Sequence, residues 1–518
     1  MWEKRVSMIA KALEKVTLLQ IILFAAAVYL LTLTPRLSTS EDEALFILIS
    51  RQFLREGVLK TITTSSIPCI ANYSFLPLLL VPFSAIAPEN FLLMKLILVA
   101  SALLCVALLY ELLEGLCEEP VRKAVTLLFA FNPLLVEHAG QILTDCLYTA
   151  LLLATFLCFK RYIEKQKAWS FFLCLFFTML CTITKAVGCL TLPALLLMLA
   201  IKRKGRAFLL TALVAGAVVS LFLPYWSEVL KKAVGEGIFI QNYYSEFQGR
   251  LSAFGIVGRA GRSMLVYAGN YLPDIFLKPL VSFIAPRLPG GGFNPLFVPK
   301  FLCGVTLFAF IIAGFQRSAK EKKQLFHVYC IFHMLVLLSI YAYVARYLLP
   351  LLPFLLFFIF KYFFEGSSFK KRLGITLAGA LLTLSLFDAG RQIAFARSGF
   401  ISPEIKSFVQ CNDWIKAHAP AGSLILSRKA KYTRVYTGRP CTGYIFSKDD
   451  ARQYDYIVKS KADYIIAGDL GFFVPVAGTL QRVAQKHPEE FIKVYQSDAL
   501  PRNQVYQVIK DKMDGRIQ

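Results

Sequence analysis

The chain has 518 residues, 57% of them hydrophobic and only 17% charged, whereas soluble domains carry roughly 25% charge. Its net charge of +24 sits largely in short clusters between apolar runs, among them Lys4 and Arg5, Arg122 and Lys123, Lys160–Lys167, Lys202 to Arg206, Arg317 to Lys323, and Lys370 to Arg372. Such alternation is what positive-inside membrane topology produces, and it excludes an ordinary soluble enzyme and a nucleic-acid-binding surface.

Starting with the amino terminus in the cytoplasm, the first span is Val16–Thr34, too long and too poor in small residues at its end for a cleaved signal. An outer loop to Ser74 follows, then a short apolar stretch, Phe75–Ala87, interrupted by Pro77 and Pro82, which suits an interfacial or re-entrant helix. Further spans are expected over Phe91–Leu113, Ala124–Val136, Ile142–Phe159, Trp169–Ile183, Gly188–Ile201 and Ala207–Pro224. A large outer loop, Tyr225–Lys300, precedes four more spans: Phe301–Phe315, Leu325–Tyr343, Tyr347–Phe360 and Ile375–Phe387. The expected architecture is a polytopic α-helical membrane domain, 1–388, of about 11 to 13 spans, the spread coming from apolar stretches inside the large loop.

Residues 389–518 lose this character. Phe408–His418 is spaced as an amphipathic helix, Leu424–Ser427 and Tyr464–Ala467 as short strands, and Asp449–Ser460 as a helix between them, which predicts a small extracytoplasmic α/β domain. Cys69, Cys411 and Cys441 fall outside the cytoplasm on this topology; a Cys411–Cys441 disulfide and two free thiols are both compatible with the spacing.

Three places carry chemistry. Glu41, Asp42 and Glu43 follow the first span, where they serve either as a site of mutually repelling carboxylates or as the acidic first turn of a helix capped by Ser38, Thr39 or Ser40. Asp145 stands at the outer start of a span, just after Glu137 and His138. An ionisable residue at that depth is a functional candidate, and Glu137 with His138 are weaker candidates for a divalent metal, which the sequence leaves open. Arg346 breaks the positive-inside trend at the outer mouth of a span, where a guanidinium can grip a phosphate at two points; Lys185, at an outer hairpin turn, is a softer case.

These motifs resemble one family. Ser40–Gly57 reads SEDEALFILISRQFLREG, similar to the first outer loop of the protein O-mannosyltransferase and aminoarabinose-transferase group. Thr144–Asp145 with Tyr148 and Lys160–Arg161, Thr184–Gly188 with Leu192–Leu195, and Arg346–Pro350 through Pro353 resemble its later motifs in the same order. Trp414, Pro420, Ser427–Lys429 and Thr437–Arg439 look like the outer domain of bacterial members. The resemblance implies a C-type glycosyltransferase fold in the inner membrane, polyprenyl-phosphate-linked sugars as donors, and a cell-envelope acceptor that is a lipid, glycan or protein. It implies that Asp42 activates the acceptor, with Glu43 beside it and Asp145 lining the same cavity, while Arg346, helped by Lys185, faces the donor phosphate. Asn72–Pro77 holds one proline where members often carry a pair, sometimes after a lysine, which weighs against aminoarabinose and lipid A. The competing readings are a transporter or flippase of lipid-linked sugars and a noncatalytic assembly subunit. The acids gathered at one face, the lack of repeated halves and the outer domain weigh against a transporter.

Overall fold

The computed structural model describes residues 15–38, 41–59, 74–235, 253–277, 297–339, 344–445, 449–468 and 475–510. Thr39 and Ser40 as caps, Cys69, the start of the Asn72–Pro77 motif and parts of the Tyr225–Lys300 loop lie outside them. The chain divides into two compact units, Met1–Arg36 with Ile67–Ser398, and Leu37–Ser66 with Gly399–Gln518.

The first unit is helical. Its opening helix α1 is Leu18–Leu31; α2, Glu41–Glu56, belongs to the second unit; and α3, Phe75–Ile86, α4, Phe91–Leu113, and α5, Glu119–Ala130, follow. The single span expected over Ala124–Val136 is instead two helices, because Pro133 has no N–H to continue the ladder and Asn132 accepts the Leu134 N–H at 2.9 Å to start α6, Pro133–Ala139. The Tyr29 hydroxyl donates to the Ala130 carbonyl at 2.6 Å beside this break. Next come α7, Thr144–Lys165, α8, Ala168–Thr184, a 3-10 turn at Ala186–Leu190, α9, Thr191–Ile201, and α10, Gly205–Gly235. Helix α11, Ala253–Val266, runs into a π-helical turn, Tyr267–Tyr271, so the described parts of the expected large loop are mostly helical. Helices α12, Phe297–Glu321, α13, Leu325–Ser339, α14, Leu352–Phe364, and α15, Ser368–Arg397, complete the unit, with a 3-10 turn at Ala345–Leu348 before α14.

Among the described residues four helices (α4, α7, α12 and α15) are long and apolar enough to cross a membrane, and seven further apolar helices are shorter. Helix α7 is the centre of the bundle: Thr144 through Lys160 are all buried. Small residues let helices close in, as at Gly314, where a Cβ would fall 1.8 Å from the Phe358 carbonyl oxygen of α14.

One end of the bundle is bound by cations. The Lys160 ammonium donates to the Leu112 carbonyl at 3.1 Å and to that of Glu114, meeting backbone acceptors left open at the carboxyl end of α4. Arg122 donates to the Tyr110 carbonyl at 2.7 Å and pairs with Glu119 at 3.2 Å, and Lys361 pairs with Glu321 at 2.6 Å and with Glu365. Asp145 begins the helix that Lys160 nears the end of, about 22 Å away at the helical rise.

The second unit holds a five-stranded sheet in the order β2-β1-β3-β5-β4, from β1 Ile425–Ser427, β2 Cys441–Thr442, β3 Tyr464–Ala467, β4 Phe491–Gln496 and β5 Gln504–Val508. The first three strands are parallel, joined through α17, Ala430–Thr437, and α18, Asp450–Ser460; β5 pairs antiparallel with β3 and β4. Helix α16, Pro403–His418, leads into the sheet, and α19, Pro475–Lys486, lies between β3 and β4. Leu426, Ile457, Ile465, Leu480, Val483, Phe491 and Val508 form its core. Helix α2 packs on α17: the Leu37 N–H donates to the Tyr436 hydroxyl at 3.3 Å and Arg51 to the Val435 carbonyl at 3.4 Å. Cys411 and Cys441 are free thiols, and burial pushes each up to about 12.

Two measurements test this description. Lys95, buried on α4, donates to the Thr34 carbonyl at 2.9 Å and the Arg36 carbonyl at 2.6 Å, holding the chain where it leaves α1. Lys95→Met is expected to cost about 1–3 kcal/mol, read as a lower melting temperature of detergent-purified protein; an unchanged melting point would refute the anchoring role. Cys411 and Cys441 should resist a maleimide at pH 7.5 in folded protein and react once it is denatured, with no 411–441 bridge in non-reducing peptide maps.

Candidate functional site

Helix α8 ends at Thr184, and Lys185 follows in extended conformation, φ −153° and ψ 138°. The Ala186–Leu190 turn then folds back so closely that a Cβ on Gly188 would sit 2.1 Å from the Cys181 carbonyl oxygen. Only glycine permits that approach. The geometry carries the Lys185 ammonium to the carboxylate of Asp145 in the first turn of α7, with side-chain exposures of 9% and 3%.

Arg346 enters from a third direction, in the Ala345–Leu348 turn. Its guanidinium lies 5.6 Å from the centre of the Tyr347 ring, and the Lys185 ammonium lies 5.2 Å from the same ring and 6.0 Å from that of Tyr148. Arg346 and His138 both act on Asp145 electrostatically. The structure thus gathers Asp145, Lys185, Arg346 and His138. One carboxylate is approached by two cations that come from separate turns of the chain.

Asp42 and Glu43 belong to the second unit, in the acidic first turn of α2. All three acids stand in that first turn, the helix-start placement considered for them, and the buried Glu43 carboxylate also accepts the Ser38 N–H at 2.5 Å. Glu137 and His138 lie in α6, where the His138 Nδ1 is paired with Gln141 at 2.9 Å. Among the described residues the one group of three metal-ligand types within reach of each other is His487, Glu489 and Glu490, in the second unit. An open cleft lined by Pro35, Ala87, Asn90 and Phe91 contains none of the expected site residues.

Sequence reasoning missed the polar residues behind Lys185. Tyr148 meets the Tyr329 hydroxyl at 2.7 Å, Tyr329 meets His333 Nδ1 at 2.6 Å, and His333 Nε2 meets the Tyr347 carbonyl at 3.0 Å. A histidine four residues after a tyrosine inside an apolar run was the available signal.

The Asp145–Lys185 pair makes a measurable prediction. Removing one partner of a buried ion pair costs about 3–5 kcal/mol, because the other charge stays buried. Asp145→Asn and Lys185→Met should each lower the melting temperature strongly, and the double substitution should be less harmful than their sum. Additive effects would mean that the two groups do not interact.

No family model and no curated protein matches this sequence. Solved structures do. ArnT from Cupriavidus metallidurans, an aminoarabinose transferase, superposes in its undecaprenyl-phosphate-bound form with a TM-score of 0.57 at 13% identity, over 94% of this chain and 97% of ArnT. The apo form gives 0.55 at 12% identity over 95% and 98%. The oligosaccharyltransferase of Archaeoglobus fulgidus tethered to an acceptor peptide gives 0.57 at 13% identity over 96% of this chain and 74% of that enzyme. The chain has the C-type glycosyltransferase fold that these enzymes share.

Proposed function

We propose that this protein transfers a sugar from a polyprenyl-phosphate donor to a cell-envelope acceptor, a lipid, glycan or protein, on the non-cytoplasmic side of the inner membrane. The observation that carries the reading is the gathering of Lys185 and Arg346 at Asp145 beside the Tyr148 and Tyr347 rings, in a fold whose solved example, ArnT, binds undecaprenyl phosphate. Two cations beside aromatic rings match a phosphate that carries a long lipid chain. The orientation rests on charge. The Lys160, Arg122 and Lys361 end of the bundle is the basic one, and the positive-inside trend assigns it to the cytoplasm, leaving Asp145 at the opposite face.

In this mechanism the acceptor oxygen attacks the anomeric carbon from the side opposite the phosphate. As the new C–O bond forms, the bond to the phosphate oxygen breaks, the electron pair stays on the lipid phosphate, and the anomeric configuration inverts. Arg346 and Lys185 stabilise the charge that accumulates there. The acceptor proton goes to a carboxylate, and the family resemblance of the Ser40–Gly57 segment is what assigns this role to Asp42.

Two experiments test the proposal. Purified protein given a panel of undecaprenyl-phosphate sugars and an envelope extract should release undecaprenyl phosphate only when the extract is present. Asp42→Asn should lower that release by about 10²-fold or more while leaving undecaprenyl phosphate binding intact. Release that persists in the variant would remove Asp42 from the mechanism, and no acceptor-dependent release with any donor would remove the transferase reading. Sidedness is read from thiols in an otherwise cysteine-free protein. The exposed Cys189, four residues after Lys185, should react with a membrane-impermeant maleimide from outside, and a cysteine replacing exposed Lys165 should react only from the cytoplasmic side. The reverse pattern would invert the orientation.

A further inference from the structure

The donor-phosphate role of Arg346 leaves His333 unexplained. It is 1% exposed, on α13, and does not join the Asp145–Lys185 pair. Its two ring nitrogens are nevertheless both engaged, and the partners fix the direction of every hydrogen in the chain. The Tyr347 carbonyl can only accept, so Nε2 carries the hydrogen. In the neutral ring Nδ1 is then an acceptor, Tyr329 must donate to it, and Tyr148 must donate to Tyr329. The result is one directed chain, Tyr148 to Tyr329 to His333 to the Tyr347 carbonyl.

The chain joins three elements that the site depends on. Tyr148 stands on α7, three residues after Asp145; Tyr329 and His333 stand one turn apart on α13; and Tyr347 follows Arg346 in the 3-10 turn. The same two tyrosine rings flank the Lys185 ammonium. A four-residue turn has few hydrogen bonds of its own, and its backbone direction sets where Arg346 points. Side chains that fix a reacting constellation from behind are what keep such a site in register.

We infer that His333 is a positioning residue for the donor-phosphate site: by donating to the Tyr347 carbonyl, and being itself oriented by Tyr329 and Tyr148, it holds the turn that presents Arg346 to a polyprenyl phosphate. The inference rests on the proposed function for the identity of that ligand. It assigns His333 no contact with the sugar or the reacting atoms.

Two amides separate the two bonds. Glutamine can place its N–H near the position of Nε2 and keep the bond to Tyr347, whereas asparagine reaches only as far as Nδ1 and keeps the bond to Tyr329. Binding of undecaprenyl phosphate to the full-length protein in nanodiscs is the primary readout. His333→Asn should weaken it about five- to twentyfold, and His333→Gln should stay within about threefold of the parent. In transfer assays the loss should appear mainly as a higher donor KM, with kcat changed less. Tyr329→Phe, which keeps the packing, should weaken binding about fivefold and serves if His333→Asn does not fold. Parent-like binding by His333→Asn, equal losses in the Gln and Asn variants, or parent-like binding by Tyr329→Phe would each overturn the inference. Should the unmodified protein fail to bind undecaprenyl phosphate at all, the donor reading falls and takes this inference with it, an outcome visible before any variant is made.

Discussion

The site depends on one buried contact, the ion pair between Asp145 and Lys185. Two charges withdrawn from water at the end of a membrane helix are tolerable only when they neutralise each other and find further polar company. That requirement organises the neighbourhood. It explains why Lys185 interrupts α8 and α9 with an extended residue, why Gly188 must let the backbone close on Cys181, and why tyrosines flank the ammonium. Arg346, beside the Tyr347 ring, brings a second cation to the carboxylate that Lys185 already holds.

The two ends of the bundle solve the same problem differently. At the basic end, Lys160, Arg122 and Lys361 each meet backbone carbonyls or carboxylates that close off helix ends, so their charges are spent on structure. At the Asp145 end Lys185 meets a carboxylate, and both Lys185 and Arg346 lie beside the Tyr347 ring. A single helix, α7, carries both arrangements, and its burial over nearly its whole length keeps the two ends in register.

Much of this was legible in the sequence. The apolar runs gave the helices nearly to the residue for Phe91–Leu113 and Trp169–Ile183, and the oddly placed Asp145, Lys185 and Arg346 marked the cluster. The break at Asn132–Pro133 was missed because its flanks are equally apolar, and hydropathy does not register a lost N–H. Spans were read too short where polar residues prolong a helix, as in α12 and α15. Tyr329 and His333 went unremarked because their roles are set by partners on other elements, Tyr148 and Tyr347, which one sequence does not pair. Strands β4 and β5 were likewise overlooked: their alternation is short, and pairing with β3 is what makes them strands. The resemblance to glycosyltransferases of lipid-linked sugars is matched by the shared fold.

The packing of α2 on α17 has a consequence for how the chain is made. These helices form one unit, yet Leu37 and Tyr436 are 399 positions apart, and Arg51 and Val435 are 384 apart. At ordinary ribosomal speeds of about 5–20 residues per second, α2 leaves the ribosome about 20–80 s before α17 exists. Through that interval Leu37 and Arg51 lack their partners Tyr436 and Val435, and the apolar side chains that α2 buries in the finished unit are without part of their cover. The turn bearing Asp42 therefore takes its final setting only at the close of biosynthesis. A ribosome that stalls before residue 430 leaves α2 without the surface that α17 supplies.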